Sequence, residues 1–202
     1  MVTPTHRPTG AELGIAAAEA LARSGHQRIA PGLTDAEFER IEAECGFEFS
    51  DDHRAFLSVG LPLDDATERP RPGWPWWIDW RAGDPEILQA RVGWPVEGVL
   101  FDVSMNEFWY DDWGPRPAAM SEALALATER PAAAPRMVPV CGHRCLPAGR
   151  GTWGHPVLSM YQTDIIVYGA DLLAFIEGEK IDDTGYADAI DRSPDFWRDL
   201  IG

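Results

Sequence analysis

Between residues 138 and 176 the chain gathers side chains that can do chemistry: Cys141, His143, Arg144, Cys145, Asp164 and Asp171, set among apolar runs. Two thiolates and an imidazole in Cys141-Gly142-His143-Arg144-Cys145 would give zinc three ligands, with His155 as the fourth. The spacing argues against this. The gap between the cysteines is not that of thioredoxin-like pairs, and no matching Cys or His pair stands elsewhere in the chain. A buried cysteine is also a small apolar residue. No metal or other cofactor is therefore expected. His143 and Arg144 fall between a strand and a glycine-rich loop, a place where polar groups often act. The residues favour an internal role, with Arg144 paired to Asp164 or Asp171 so that the loop is held against the next strand and helix.

Catalytic patterns are missing from the sequence. It has no Gly-x-Ser-x-Gly elbow, no His-Glu-x-x-His and no phosphate-binding glycine loop; Gly149-Arg150-Gly151-Thr152 lacks the lysine such a loop needs. Adjacent carboxylates such as Asp111-Asp112 and Asp182-Asp183 point apart and read as solvated surface. No enzyme is expected. Aromatic residues offer a different chemistry. Four of the nine tryptophans, Trp74, Trp76, Trp77 and Trp80, fall within one short segment, and Trp109 and Trp113 flank Asp111-Asp112. Aromatics beside carboxylates have the composition of protein-interface anchors. Core filling beneath a long loop is an equal alternative, and a cleft for a sugar or small apolar ligand is a third.

The elements that must position these residues can be read from periodicity and caps. A helix is expected over 12–23. Thr34 with Glu37 is a capping box, Leu33 and Phe38 stand at the hydrophobic-staple positions, and Gly46 supplies the stop. Ser50 opens a second helix to about Val59. Asp84-Pro85 opens a short helix to Arg91. Alternation at Val99, Phe101 and Val103 reads as a strand, and 107–110 as another. A helix over 121–130, strands over 137–140, 157–162 and 164–168, and a C-terminal helix from Ser193-Pro194 complete the series. Helices at the front and strands in the middle, without regular alternation, make the class α+β.

Composition narrows the partners. The chain of 202 residues carries a net charge of −16. That disfavours nucleic acid, whose phosphates call for Lys and Arg, and disfavours an anionic membrane. It would draw in a basic protein, or simply keep the molecule soluble. Two stretches, 35–52 at −7 and 171–202 at −6, hold most of the charge. Three cysteines make no disulfide framework, Glu12 and Glu19 interrupt any secretory apolar run, and no run is long enough to span a membrane. A cytoplasmic protein is expected.

The run Val138-Pro139-Val140, the segment from Pro156 through Ser159, Tyr161, Asp164 and Tyr168 to Gly169, and the following Ala170-Asp171-Leu172-Leu173 closely resemble the C-terminal half of the SUKH superfamily. That superfamily includes a yeast cell-wall assembly regulator and many bacterial toxin-immunity proteins. The helix pair resembles its opening, with Asp51-Asp52-His53-Arg54 after the Gly-aromatic step Gly46-Phe47, so the likeness covers about 31–180. Cys141 and Cys145 depart from the aromatic residues usual at those positions. The resemblance implies one α+β domain over 31–202, a central, mostly antiparallel sheet with helices packed on it, preceded by a helical extension over 1–30. It further implies a protein-binding module without catalysis, foremost an immunity protein capping a toxin partner, possible basic nucleases included; a regulatory scaffold is the alternative. Candidate contacts are Trp74, Trp76, Trp77, Asp51, Asp52, Asp111, Asp112 and Trp113. His143, Arg144, Asp164, Tyr168 and Asp171 are assigned to the structural spine.

Overall fold

The computed structural model describes residues 8–65 and 75–202, and places Trp74 outside the described residues. Three capped helices open the fold. In α1 (Gly10–Ser24), Thr9 and Glu12 form a capping box, and Gly25 ends the helix in the left-handed region. In α2 (Asp35–Cys45), Thr34 Oγ1 accepts from the Glu37 amide at 3.3 Å while Glu37 accepts from the Thr34 amide at 2.8 Å. Each bond satisfies a donor that the first turn leaves open. Ser50 stands at the cap position of α3 (Asp51–Val59) without a side-chain cap bond. Helices α1 and α3 approach closely because Gly14 has no side chain: a Cβ there would lie 2.1 Å from the Asp52 carbonyl oxygen. Beside them, β1 (Arg28–Pro31) pairs antiparallel with β2 (Gly60–Leu63).

A four-stranded antiparallel sheet forms the centre: β3 (Met137–Cys141), β4 (Arg144–Pro147), β5 (Val157–Tyr161) and β6 (Asp164–Gly169), in that spatial order. Its two faces feed two cores. Val138, Leu146 and Val157 join α1, α2, α3, Trp77 and Trp80 in the first. Cys145, Leu158, Met160, Ile165 and Val167 join α4 (Pro85–Met105), α5 (Met120–Ala132) and Trp197 in the second. Strand alternation explains the split, since neighbours along a strand point to opposite faces. The class is mixed α+β, with α6 (Leu172–Glu177) and α7 (Asp183–Asp191) following the sheet.

Several sequence-based expectations are corrected. The strand expected at 99–103 is the second half of α4, which runs unbroken from Pro85 to Met105 through Pro95. Gly98, Val99, Asp102 and Val103 are buried and Phe101 and Met105 exposed, a helical period that the alternating valines also satisfy. The strand expected over 107–110 is irregular backbone whose aromatic rings gather edge-on around Trp113. The C-terminal helix reduces to a single 3-10 turn, Arg198–Leu200, because Trp197 turns inward, fully buried, with its indole N–H donating to the Pro135 carbonyl at 2.9 Å. Strand β4 and helix α7 were not anticipated.

Candidate protein-binding surface

Helices α1 to α3 and the 77–80 segment cover the first-core face of the sheet at β3 and the inner end of β4. The corner formed by β5 and β6 stays open. There β6 alternates strictly, with Ile165 and Val167 buried and Asp164, Ile166 and Tyr168 exposed. Arg144 lies opposite Ser159, Ser159 opposite Ile166, and Tyr161 opposite Asp164, so these side chains share one face. Trp76 at 41 %, Tyr161 at 55 %, Ile166 at 39 % and Tyr168 at 47 % exposure make this corner an uncovered aromatic surface.

Trp76 is held there by backbone bonds. The Asp64 carboxylate accepts from the amides of Trp76 at 2.7 Å and Trp77 at 2.9 Å, and the Gly142 amide donates to the Trp76 carbonyl at 2.6 Å. Trp77 forms an antiparallel bridge to Cys141, which extends the sheet beyond β3. Gly142, at φ 52°, makes the turn of the β3–β4 hairpin; a Cβ there would come within 2.7 Å of the Trp76 ring. Only glycine permits both that backbone and that contact. From beneath, buried Arg91 donates to the Gly142 carbonyl at 2.7 Å. Burial lowers the Arg91 pKa to about 10, which still leaves it a cation at neutral pH.

Arg144 does not pair with Asp164 or Asp171. Its guanidinium carbon lies 4.2 Å from the Tyr168 ring centroid and 5.3 Å from that of Trp76, a cation between two aromatic faces. Its Nη1 donates to Nε2 of His143 at 2.6 Å, which requires that nitrogen to be unprotonated. Burial, helped by the Arg144 charge, lowers the His143 pKa and keeps the ring neutral. His143 in turn meets Trp76 and Tyr161 edge-on, and Trp94 of α4 meets Tyr161 in the same way. The tip of the β5–β6 hairpin is fixed by Asp102, whose Oδ2 accepts from Thr163 N at 2.9 Å and Thr163 Oγ1 at 2.6 Å.

The structure thus brings Trp76 together with four residues that the sequence assigned to the spine: His143, Arg144, Asp164 and Tyr168. It separates the other candidates. Asp171 caps α6 by accepting from the Ala174 amide. Asp52 is fully buried, accepts from the amides of His53 and Gly154, and has its pKa raised by desolvation, so a contact role for it is corrected. Asp51 accepts from the Gly151 amide. Trp77 and Trp113 are core residues, stacked on Phe56 and Phe196 respectively. Asp111 and Asp112 are exposed on a 3-10 turn beside Trp113. Tyr161, Ile166 and Trp94 were missed, although the alternation of β6 signalled Ile166.

The acidic stretch 35–52 is largely engaged by arginines. Asp35 meets Arg54 at 2.8 Å, Glu37 meets Arg81 at 2.5 Å, Glu42 meets Arg54 and Arg150, Glu44 meets Arg40 and Glu48 meets Arg150. The Arg81 guanidinium and the Thr34 amide hold the Glu37 carboxyl down at about 2. Cys141 and Cys145 lie in opposite cores, and burial pushes both thiols up to about 12. No helix among the described residues is long and apolar enough to cross a membrane. Compared with protein-family models, curated proteins and solved structures, the chain matches none of them.

Proposed function

We propose that this chain is a non-catalytic protein-binding domain that acts as an immunity protein, docking a toxin partner on the open corner of its sheet and blocking it sterically. The observation that carries the reading is the exposed set Trp76, Tyr161 and Tyr168 around Arg144. Trp, Tyr and Arg are the residue types that dominate binding energy at interface centres, often with more than about 2 kcal/mol each. Two hairpins and a bridge hold these side chains in place, so little ordering cost falls on association. The likeness of 31–180 to SUKH domains supports the immunity role. The net charge of −16 supports a basic partner, since a field of one sign raises encounter rates even where individual carboxylates are paired.

The test is site-specific photo-cross-linking in the native host, with benzoylphenylalanine at Ile166, at Tyr161, and at the exposed controls Ile15 and Met105. The reading expects one protein to be captured at 166 and 161 and not at 15 or 105. A toxin encoded beside this chain would establish immunity, and a partner encoded elsewhere would favour the regulatory scaffold. Capture confined to 15 or 105 would overturn the assignment of the surface.

A further inference from the structure

Arg144 carries an unmet demand for an acceptor. Nη1 is occupied by His143, whereas Nη2 has no acceptor among the described residues. Nε is sealed from water and likewise has none. A donor left in this condition costs about 1–3 kcal/mol. Among the described residues no other Lys or Arg belongs to this face, and Asp164, opposite Tyr161, makes no ion pair with Arg144. Nη2, the donor that is not sealed, is the one within reach of an incoming group, and it can hold a carboxylate oxygen through a charge-assisted bond. Flanking rings lower the local dielectric and strengthen such a pair.

Resting on the protein-binding reading above, we infer that Arg144 is the receptor for an aspartate or glutamate side chain of the partner, presented among apolar residues that cover Trp76, Tyr168 and Ile166. The partner is basic as a whole and acidic at this one point. Long-range charge brings it in, and the carboxylate fixes its register. Arginine suits this place better than lysine because its flat group stacks between rings while Nη2 stays available.

The experiment pans a random 12-residue peptide library, displayed through the peptide C-termini so that only side-chain carboxylates are offered, on the immobilised full chain. Expected is a consensus with one Asp or Glu flanked by aromatic or aliphatic residues. Binding should weaken at least tenfold for Arg144→Gln, and equally when the peptide's acid is replaced by its amide. The peptide-side change keeps the test valid even if the protein variant is unstable. A consensus without an acid, an amide peptide that binds within twofold, or no enrichment at all would overturn the inference. In each of those cases the protein-binding reading is judged separately, by cross-linking at Ile166.

Discussion

The Arg144 guanidinium is clasped between Tyr168 of β6, 4.2 Å away, and Trp76 of the segment that bridges β3, 5.3 Å away. These two rings come from opposite margins of the sheet. The cation therefore joins the outermost elements of the open face, and the proposed binding surface is held together within the fold itself.

A double-mutant cycle with Arg144→Ala and Tyr168→Ala, followed by urea unfolding, should return a coupling of about 0.5–1 kcal/mol, the value of a partly exposed cation–π pair. Additive effects would show that the ring and the cation do not interact.

Asp102→Asn should loosen the β5–β6 tip. The carboxylate takes two bonds from Thr163 and one from Asn106 Nδ2, and the amide cannot accept at both ends. A loss of about 1–3 kcal/mol is expected, with faster hydrogen exchange at the Thr163 amide than at Val167. Unchanged exchange at Thr163 would contradict the pinning role.

Glu42 ties α2 to Arg54, Arg150 and the Phe49 amide. Glu42→Ala removes the nearly buried carboxylate that these donors share, and unfolding should shift by about 1–3 kcal/mol. Glu39→Ala serves as the comparison, since no ion pair engages Glu39 among the described residues, and should change stability by less than about 0.5 kcal/mol. Equal effects would mean that the acidic stretch acts as solvated surface.

His53 makes stability fall in acid. Burial lowers its pKa from 6.5 to about 3, so the unfolded chain binds a proton that the folded chain refuses. Stability is complete above pH 6.5 and is lost as pH drops from there towards 3, by as much as about 4 kcal/mol. Asp52 acts in the opposite sense. Its raised pKa lets the folded chain take up a proton above the unfolded carboxylate range, which offsets part of the loss at the acid end. The His53→Leu variant should flatten the decline between pH 6.5 and 5 when unfolding midpoints are compared. A decline of wild-type slope in that variant would place the sensitivity elsewhere.

Local signals in the sequence reached as far as local forces act. Thr34 with Glu37, Gly46, Asp84-Pro85 and the alternation of 164–168 specify their caps and strand within a few residues, and the folded elements begin where they indicate. Valines at 99 and 103 fit a strand and a helix equally, and packing on α5 and the sheet decided for the helix. The role of Arg144 was illegible for another reason. Two carboxylates closer in the chain than Trp76, Asp164 and Asp171, were available to it, and only the bridge from Trp77 to Cys141 brings Trp76 within reach. That contact joins positions far apart in the chain, and no periodicity records it. The ion pairs of the acidic stretch were illegible on the same ground, because Arg54, Arg81 and Arg150 meet it only after folding.

The central claim is tested most directly by the dissociation constant of the cross-linked partner, measured by calorimetry against wild type and two variants. Trp76→Ala with Tyr168→Ala should weaken binding by about 100-fold or more, as the loss of two interface anchors requires. Asp111→Asn with Asp112→Asn, on the turn beside buried Trp113, should change it by less than about threefold. Wild-type affinity in the first variant, with loss in the second, would contradict the account and return the binding site to the acidic turn.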